Sequence, residues 1–230
     1  MELKHEIKIA YLEAIKFAKS HYENFPVVSV FVSKRLYKHV AIVYQFARQA
    51  DDIADEGEYS DSERIQKLDE YKADFENSLN GIYKSSFYAA LSNTIISHEL
   101  TASNFTNLLL AFRQDITQKQ YKNFDSLLSY CKKSANPVGR IILELNNIKS
   151  DEAMFYSDKI CTALQLTNFL QDVVEDFEKE RIYLPLEDIE KYNFDISNIK
   201  SKINGNNFQN LMRYQVDRVN KYYKEGAQLL

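Results

Sequence analysis

Apolar side chains return every third or fourth position along most of the chain, the spacing of amphipathic helices and not of strands. Residues 4 to 23 carry Ile7, Ala10, Tyr11, Ala14, Phe17 and Ala18 on such a stripe, with Asn24 to Pro26 as its stop. The stretch PVVSVFVSKRLYKHV is ambiguous. Its β-branched residues suit a strand, but a lone strand finds no partner in this pattern, which leaves a short helix or an extended entry into the helix around Tyr44. Gly57 breaks that helix, and Ser60 with Glu63 forms a capping-box pattern for a helix running to about Leu79. Helices are expected near 84 to 98 and 103 to 120, the second with Phe105, Leu108, Leu109 and Phe112 as its core stripe. Asp125 opens DSLLSYCKKSANPVGRIILEL, where Pro137 removes a backbone donor and Gly139 tolerates close approach. A kink is expected there, with its freed backbone groups facing a cavity. Residues 152 to 179 read as one long helix, and EKERIYLP, from Glu178 to Pro185, carries it into an extended turn. Asn207 to Leu230 is helical, with Leu211, Tyr214, Val219 and Tyr222 as its apolar side, and it ends without a cap, as if the chain continued. No repeat or linker interrupts the run, so the predicted fold is all-α, one domain over residues 1–230.

The polar positions are arranged as well. On a helix advancing about 100° per residue, Gln165, Asn168, Asp172 and Asp176 share an arc of about 80°. Leu164, Leu166, Phe169, Leu170 and Val173 fill the other faces, so this helix is expected to be packed nearly all round. Two carboxylates on one line of a packed helix call for a positive charge between them, and Mg²⁺ is the obvious candidate. Tyr44, Arg48, Asp51 and Asp55 repeat the device within about 60°. The lead aspartates are 121 residues apart (172 − 51), far enough for their helices to face each other across a bundle core. Hard oxygen ligands on two walls suit Mg²⁺ bound with substrate phosphates, and the inferred ligand is a diphosphate. Lys34, Arg35 and Lys38, upstream of the first stripe, are within reach of a phosphate, although a solvated basic patch is the commoner explanation.

Composition narrows the class. A net charge of −4 argues against a nucleic-acid partner. Cys131 and Cys161 have no metal-binding or CxxC spacing, as expected of packed thiols in a reducing compartment. No signal-peptide core and no transmembrane-length apolar run is present, so a cytoplasmic protein is expected, with contact at a membrane surface left open. The 16 tyrosines and 14 phenylalanines suit either an aromatic-walled pocket or ordinary core filling. The five glycines form no GxGxxG dinucleotide fingerprint.

ENFPVVS at Glu23, YQFARQADDIADE, YCKKSANPVGR and LQLTNFLQDVVEDFEKERIYLP together resemble the squalene/phytoene synthase family, most closely its bacterial hydroxysqualene branch in hopanoid biosynthesis. The resemblance implies an all-α isoprenoid synthase bundle with a central cavity. It also implies that Asp51 and Asp55, with Asp172 and Asp176, are Mg²⁺ ligands of two DxxxD motifs, and Asn168 joins that set. By the same resemblance Tyr44 and Arg48 contact the diphosphate and metal, Gln165 pairs with Asn168, and Tyr130 is a cavity tyrosine. Arg181 and Tyr183 match the RxYLP segment, and Lys34 and Arg35 are taken as substrate-binding candidates. Squalene and phytoene synthases usually read AGxVG where this chain has SANPVG, Ser134 to Gly139, which favours the hydroxysqualene branch. Members usually continue through one or two further helices, so C-terminal helices are expected beyond Leu230.

The reaction so implied is Mg²⁺-dependent ionisation of presqualene diphosphate, rearrangement of the cation, and capture by water to give hydroxysqualene. Contact with a membrane surface would serve release of a lipid product. The nearest alternative is head-to-head condensation of two prenyl diphosphates to presqualene diphosphate, squalene or phytoene. DDIAD at Asp51 to Asp55 also satisfies the DDxxD pattern of chain-elongating synthases, but the second motif reads Gln171-Asp172 and lacks a doubled aspartate. A helical nucleotide pyrophosphohydrolase and a catalytically silent scaffold are the remaining alternatives. A di-iron bundle is disfavoured, because Glu2/His5 is the one Glu-x-x-His pair.

Overall fold

The computed structural model describes residues 2–21, 33–202 and 205–229, and every regular element among them is helical. The expected stop at Asn24 to Pro26, the ENFPVVS segment and the ambiguous PVVSVFV run lie outside these residues. In chain order the helices are α1 (Glu2–Ser20), α2 (Tyr37–Asp55), α3 (Asp61–Leu79), α4 (Ser86–Ser97), α5 (Ala102–Thr117), α6 (Phe124–Ser134), α7 (Asn136–Leu145), α8 (Asp151–Gln171), α9 (Val173–Glu178), α10 (Leu186–Lys191), α11 (Ile199–Lys202) and α12 (Asn206–Gly226). Short 3-10 turns occupy Ile196–Asn198 and Ala227–Leu229. The all-α reading holds, and the extended pairing among the described residues is a single parallel bridge, Gln120 to Ile182.

Local chemistry sets the boundaries. α2 stops at Asp55 because Glu56 leaves the helical region at φ −103°, ψ 158°, and Gly57 follows at φ +80°. A left-handed backbone there suits glycine, and a Cβ would also strike the Tyr59 ring at 2.9 Å. The expected capping box forms: Ser60 accepts from the Glu63 N–H, and the Glu63 carboxylate accepts from the Ser60 N–H at 2.8 Å.

One expectation stands and one changes. The kink falls at Ala135, between α6 and α7, where φ is −112° and ψ −49°. Pro137 has no N–H to return to the Lys133 carbonyl, and the Val138 N–H bonds Ala135 O at 3.1 Å, so the ladder is released just before the proline. The helix expected over 152 to 179 is split at Asp172, whose φ of −99° and ψ of 14° lie outside the helical well.

The chain forms two compact units, Met1–Ile116 with Ile141–Ile148, and Thr117–Arg140 with Lys149–Leu230. The first carries Asp51 and Asp55, the second Asp172 and Asp176. In the first unit Ala10, Ala14 and Ala18 give α1 a smooth buried face, and Phe46, Phe75 and Phe105 interlock with ring centroids 5.1 to 5.6 Å apart. Among the same helices Tyr11 donates to Ala90 O, and the Thr94 hydroxyl bridges Tyr11 (2.8 Å) and His39 Nδ1 (2.9 Å). In the second unit α12 packs along α8. Buried Asp188 of α10 is held there by Gln215 Nε2 (2.9 Å) and Arg218 Nη1 (2.8 Å), while the Arg218 guanidinium lies 3.9 Å from the Phe124 ring centroid.

Candidate active site

The first motif occupies the last turns of α2. Arg48 is its electrostatic centre, within 3.3 Å of Asp51 Oδ2 and 2.6 Å of both Asp52 Oδ1 and Glu56 Oε1. Burial works against the guanidinium's charge, but Asp52, Asp51 and Glu56 overcome it and hold Arg48 above the ordinary arginine range. Arg48 therefore binds its own helix's carboxylates in this structure and fixes where Asp51 points. Asp52 and Glu56 fall outside the polar stripe, although the four-residue Arg48 to Asp52 spacing is a helix ion-pair signal. Tyr44 is half-buried with its ring 6.4 Å from Phe17, Asp51 is half-buried, and Asp55 is exposed. Lys34 and Arg35 are exposed in the turn before α2. Arg35 adds its charge to that of Lys38 at His98, whose imidazole is lowered by burial first and by these cations second.

A residue that no stripe marks closes this end of the helix. Arg64 of α3 donates to the carbonyls of Ile53 (3.1 Å), Glu56 (2.9 Å) and Gly57 (2.7 Å), satisfying groups that α2 leaves open at its C-terminus.

The second motif straddles the α8–α9 break. Asp172 still donates its N–H to Asn168 O at 2.9 Å and accepts from Asp176 N–H at 2.8 Å, so the hydrogen-bond register survives. Gln165 and Asp176 are half-buried, Asn168 and Asp172 exposed. Leu164 is 51% exposed, which corrects the expectation of a helix packed nearly all round; Leu166, Phe169 and Val173 are buried as expected, and α8 also buries Thr162 and Ala163. Burial, then the neighbouring Asp172 charge, pushes the Asp176 carboxyl up to about 6, against the opposing pull of Arg181 and Lys179. A half-buried carboxylate beside a second one is a place where a cation is stabilising. Asp176 O also accepts the N–H groups of Lys179 (3.0 Å) and Arg181 (2.8 Å), after which Glu180 reverses the chain at φ +59°. The strand-like return pairs Ile182 N–H with Lys119 O at 2.8 Å and brings Tyr183 flat against Phe169, 3.8 Å between centroids and 6° between planes.

Tyr130 is buried beside that stack, 6.0 Å from Tyr183 and 6.1 Å from Phe169, with Tyr121 behind it at 5.5 Å. Tyr121 carries no signal in the sequence, because aromatic packing between distant segments has no period. A recess of about 10 Å³, room for one water, opens among Phe169, Asp176, Arg181 and Tyr183.

No group of three His, Cys, Asp or Glu side chains is placed to hold a metal among the described residues. Each motif offers a carboxylate pair. That donor set fits Mg²⁺, which takes few protein ligands and completes its shell with water and substrate phosphate.

The SANPVG segment meets α8 directly. A Cβ on Gly139 would collide with Ser157 Oγ and Cys161 Sγ, so the close approach anticipated for Gly139 is to α8. Arg140 forms a bidentate pair with Asp158 (2.9 and 2.7 Å), and Thr162 Oγ1 donates to Asn136 Oδ1 at 2.9 Å.

Residues 18–230 match the family model for squalene/phytoene synthase. A hydroxysqualene synthase of Zymomonas mobilis is 40% identical over 177 residues, 75% of this chain and 58% of the relative. One from Sinorhizobium fredii is 34% identical over 165 residues, 71% of this chain and 55% of the relative. The chain thus spans a little over half the length of these relatives. A crystal structure of squalene synthase HpnC from Alicyclobacillus acidocaldarius superposes with a TM-score of 0.89 at 33% identity, covering 99% of this chain and 84% of that one.

Proposed function

From membership of the squalene/phytoene synthase family, to which the chain belongs, we propose that it is an isoprenoid synthase that ionises presqualene diphosphate and captures the rearranged cation with water as hydroxysqualene. The observation that carries this reading is the likeness over most of the chain to two hydroxysqualene synthases, at 40% and 34% identity. The Asp172–Asp176 pair, two carboxylates one turn apart with Asp176 half-buried, is of the kind that a divalent cation and its diphosphate stabilise. Asp51, Asp55, Asp172, Asp176 and Asn168 are the proposed ligands of Mg²⁺. When bound, the ion supplies Lewis-acid neutralisation of the departing diphosphate.

The chain's own residues do the rest. Arg48, clamped by Asp51, Asp52 and Glu56, keeps the first carboxylates oriented. Tyr44 and Gln165 add polar contacts to the diphosphate end, and Arg181, Lys34 and Arg35 add positive charge. Phe169, Tyr183 and Tyr130 set a dry aromatic wall next to the second motif, and aromatic faces stabilise a cation without attacking it. We read residues 1–230 as belonging to one such synthase domain, with the lipid product leaving through peripheral membrane contact. No helix among the described residues is long and apolar enough to cross a membrane.

The test is product analysis by mass spectrometry, with presqualene diphosphate and farnesyl diphosphate offered separately, with Mg²⁺ or EDTA and without NADPH. Hydroxysqualene from the first substrate, lost in EDTA, supports the reading. Presqualene diphosphate or phytoene from a prenyl diphosphate moves the chain to the condensing branch. The Alicyclobacillus structure's name favours squalene as a second reading; squalene on addition of NADPH, in place of the alcohol, would establish it.

A further inference from the structure

Reading the product as an alcohol leaves its water without a holder, and the break between α6 and α7 has the chemistry to hold one. Asn136 is only 5% exposed and Thr162 is equally buried. Their hydrogen bond, 2.9 Å from Thr162 Oγ1 to Asn136 Oδ1, is the sole one the Asn136 side chain makes among the described residues, so both Nδ2 hydrogens remain unspent. Ser134 Oγ, two residues earlier, is buried and makes no hydrogen bond among the described residues. Pro137 leaves the Lys133 carbonyl without its helical donor, and the Val138 N–H is diverted to Ala135 O. Donor, hydroxyl and released carbonyls therefore lie within four residues of one another along the chain, and buried polar groups left over in this way are met by ordered water.

We propose that Asn136, oriented by Thr162, is the residue that holds the water captured by the carbocation. This rests on the hydroxysqualene reading above. The C–O bond to diphosphate breaks with its electron pair on the leaving group. The water oxygen, accepting from Asn136 Nδ2, supplies the pair for the new C–O bond, and its surplus proton is taken up by the released diphosphate. Thr162 precedes Gln165 by three residues and Asp172 by ten, about 4.5 and 15 Å along the helix axis. Thr162 is a positioning residue: without its hydroxyl the amide can rotate and Oδ1 is unpaired.

The experiment compares diphosphate release with product identity in wild type, Asn136→Ala, Thr162→Val and Thr162→Ser, using presqualene diphosphate and Mg²⁺. Loss of one oriented hydrogen bond is expected to lower the alcohol formed per diphosphate released about tenfold in the first two variants, with alkenes from proton loss taking its place. Thr162→Ser keeps the hydroxyl and is expected to restore the wild-type ratio, which a merely structural role would not require. If Asn136→Ala does not fold, the contrast between Thr162→Val and Thr162→Ser decides the matter. Alcohol from all variants in the wild-type ratio overturns the role of Asn136 alone. Wild-type protein that releases diphosphate but forms no alcohol overturns the hydroxysqualene reading, and the water-holding role with it.

Discussion

Arg64 does for the end of α2 what α2 cannot do for itself. A helix closes with carbonyls that have no intrahelical donor, and three carbonyls at this end receive the Arg64 guanidinium from α3. Arg64→Ala is expected to destabilise the protein by about 1–2 kcal/mol, measured by urea denaturation, and to fray the turn carrying Asp51 and Asp55. Arg64→Lys would recover little, since one ammonium cannot span three carbonyls. A second residue makes stability depend on pH. Burial foremost, then the charges of His98 and Lys38, lowers His39 to about 4. The folded chain therefore refuses a proton that the unfolded chain accepts near 6.5. This contribution is complete above pH 6.5 and is lost as the pH falls from 6.5 towards 4, by an amount approaching about 3 kcal/mol. His39→Gln, which keeps a polar partner for Thr94 but cannot be protonated, should flatten the stability curve across that window in chemical melts at stepped pH. An unchanged slope would show that another group controls it.

At the scale of elements, what is local was legible and what joins distant segments was not. The capping box at Ser60, the stop at Gly57 and the core stripe of α5 are written in neighbouring residues, and they stand where the spacing put them, with Phe105, Leu108 and Leu109 buried. The α8–α9 break was invisible because Asp172 keeps both of its helical hydrogen bonds, so the polar stripe runs through it in register. The Tyr121–Tyr130–Tyr183 cluster, the Asp188–Arg218 pair and the Asn136–Thr162 bond link segments with no shared period. The α8–α12 contact belongs to this class and can be tested. A Cβ on Gly226 would sit 2.7 Å from Ile160 Cδ1 and 3.0 Å from its backbone nitrogen. The side chain can turn away but the backbone cannot. Gly226→Ala should therefore cost about 1–3 kcal/mol in spite of its higher helix propensity. Ile160→Val in the same background should recover only the part due to the side chain.

For the whole molecule, each compact unit holds one aspartate pair, and the proposed reaction asks for both. The pairs are electrostatically unlike. Asp51 lies beside a guanidinium that already offsets its charge, whereas Asp176 is raised by burial and by Asp172. Replacing either lead aspartate should abolish turnover for different reasons. Asp172→Asn removes the repulsion that raises Asp176, so the metal-free protein should be no less stable than wild type, while its stabilisation by Mg²⁺ with pyrophosphate is lost. That stabilisation is worth about 2.7 kcal/mol at a hundredfold excess over Kd. Asp51→Asn leaves Arg48 with Asp52 and Glu56, so the fold should persist, and the loss should again appear in ligand-induced melting shifts. In both variants diphosphate release is expected to fall about a thousandfold, the scale of several kcal/mol of metal-assisted stabilisation. Thermal melts with Mg²⁺, with pyrophosphate and with both, alongside diphosphate release, separate the outcomes. If Asp51→Asn retains wild-type turnover while Asp172→Asn loses it, the second unit alone holds the diphosphate, and the requirement for both pairs is wrong.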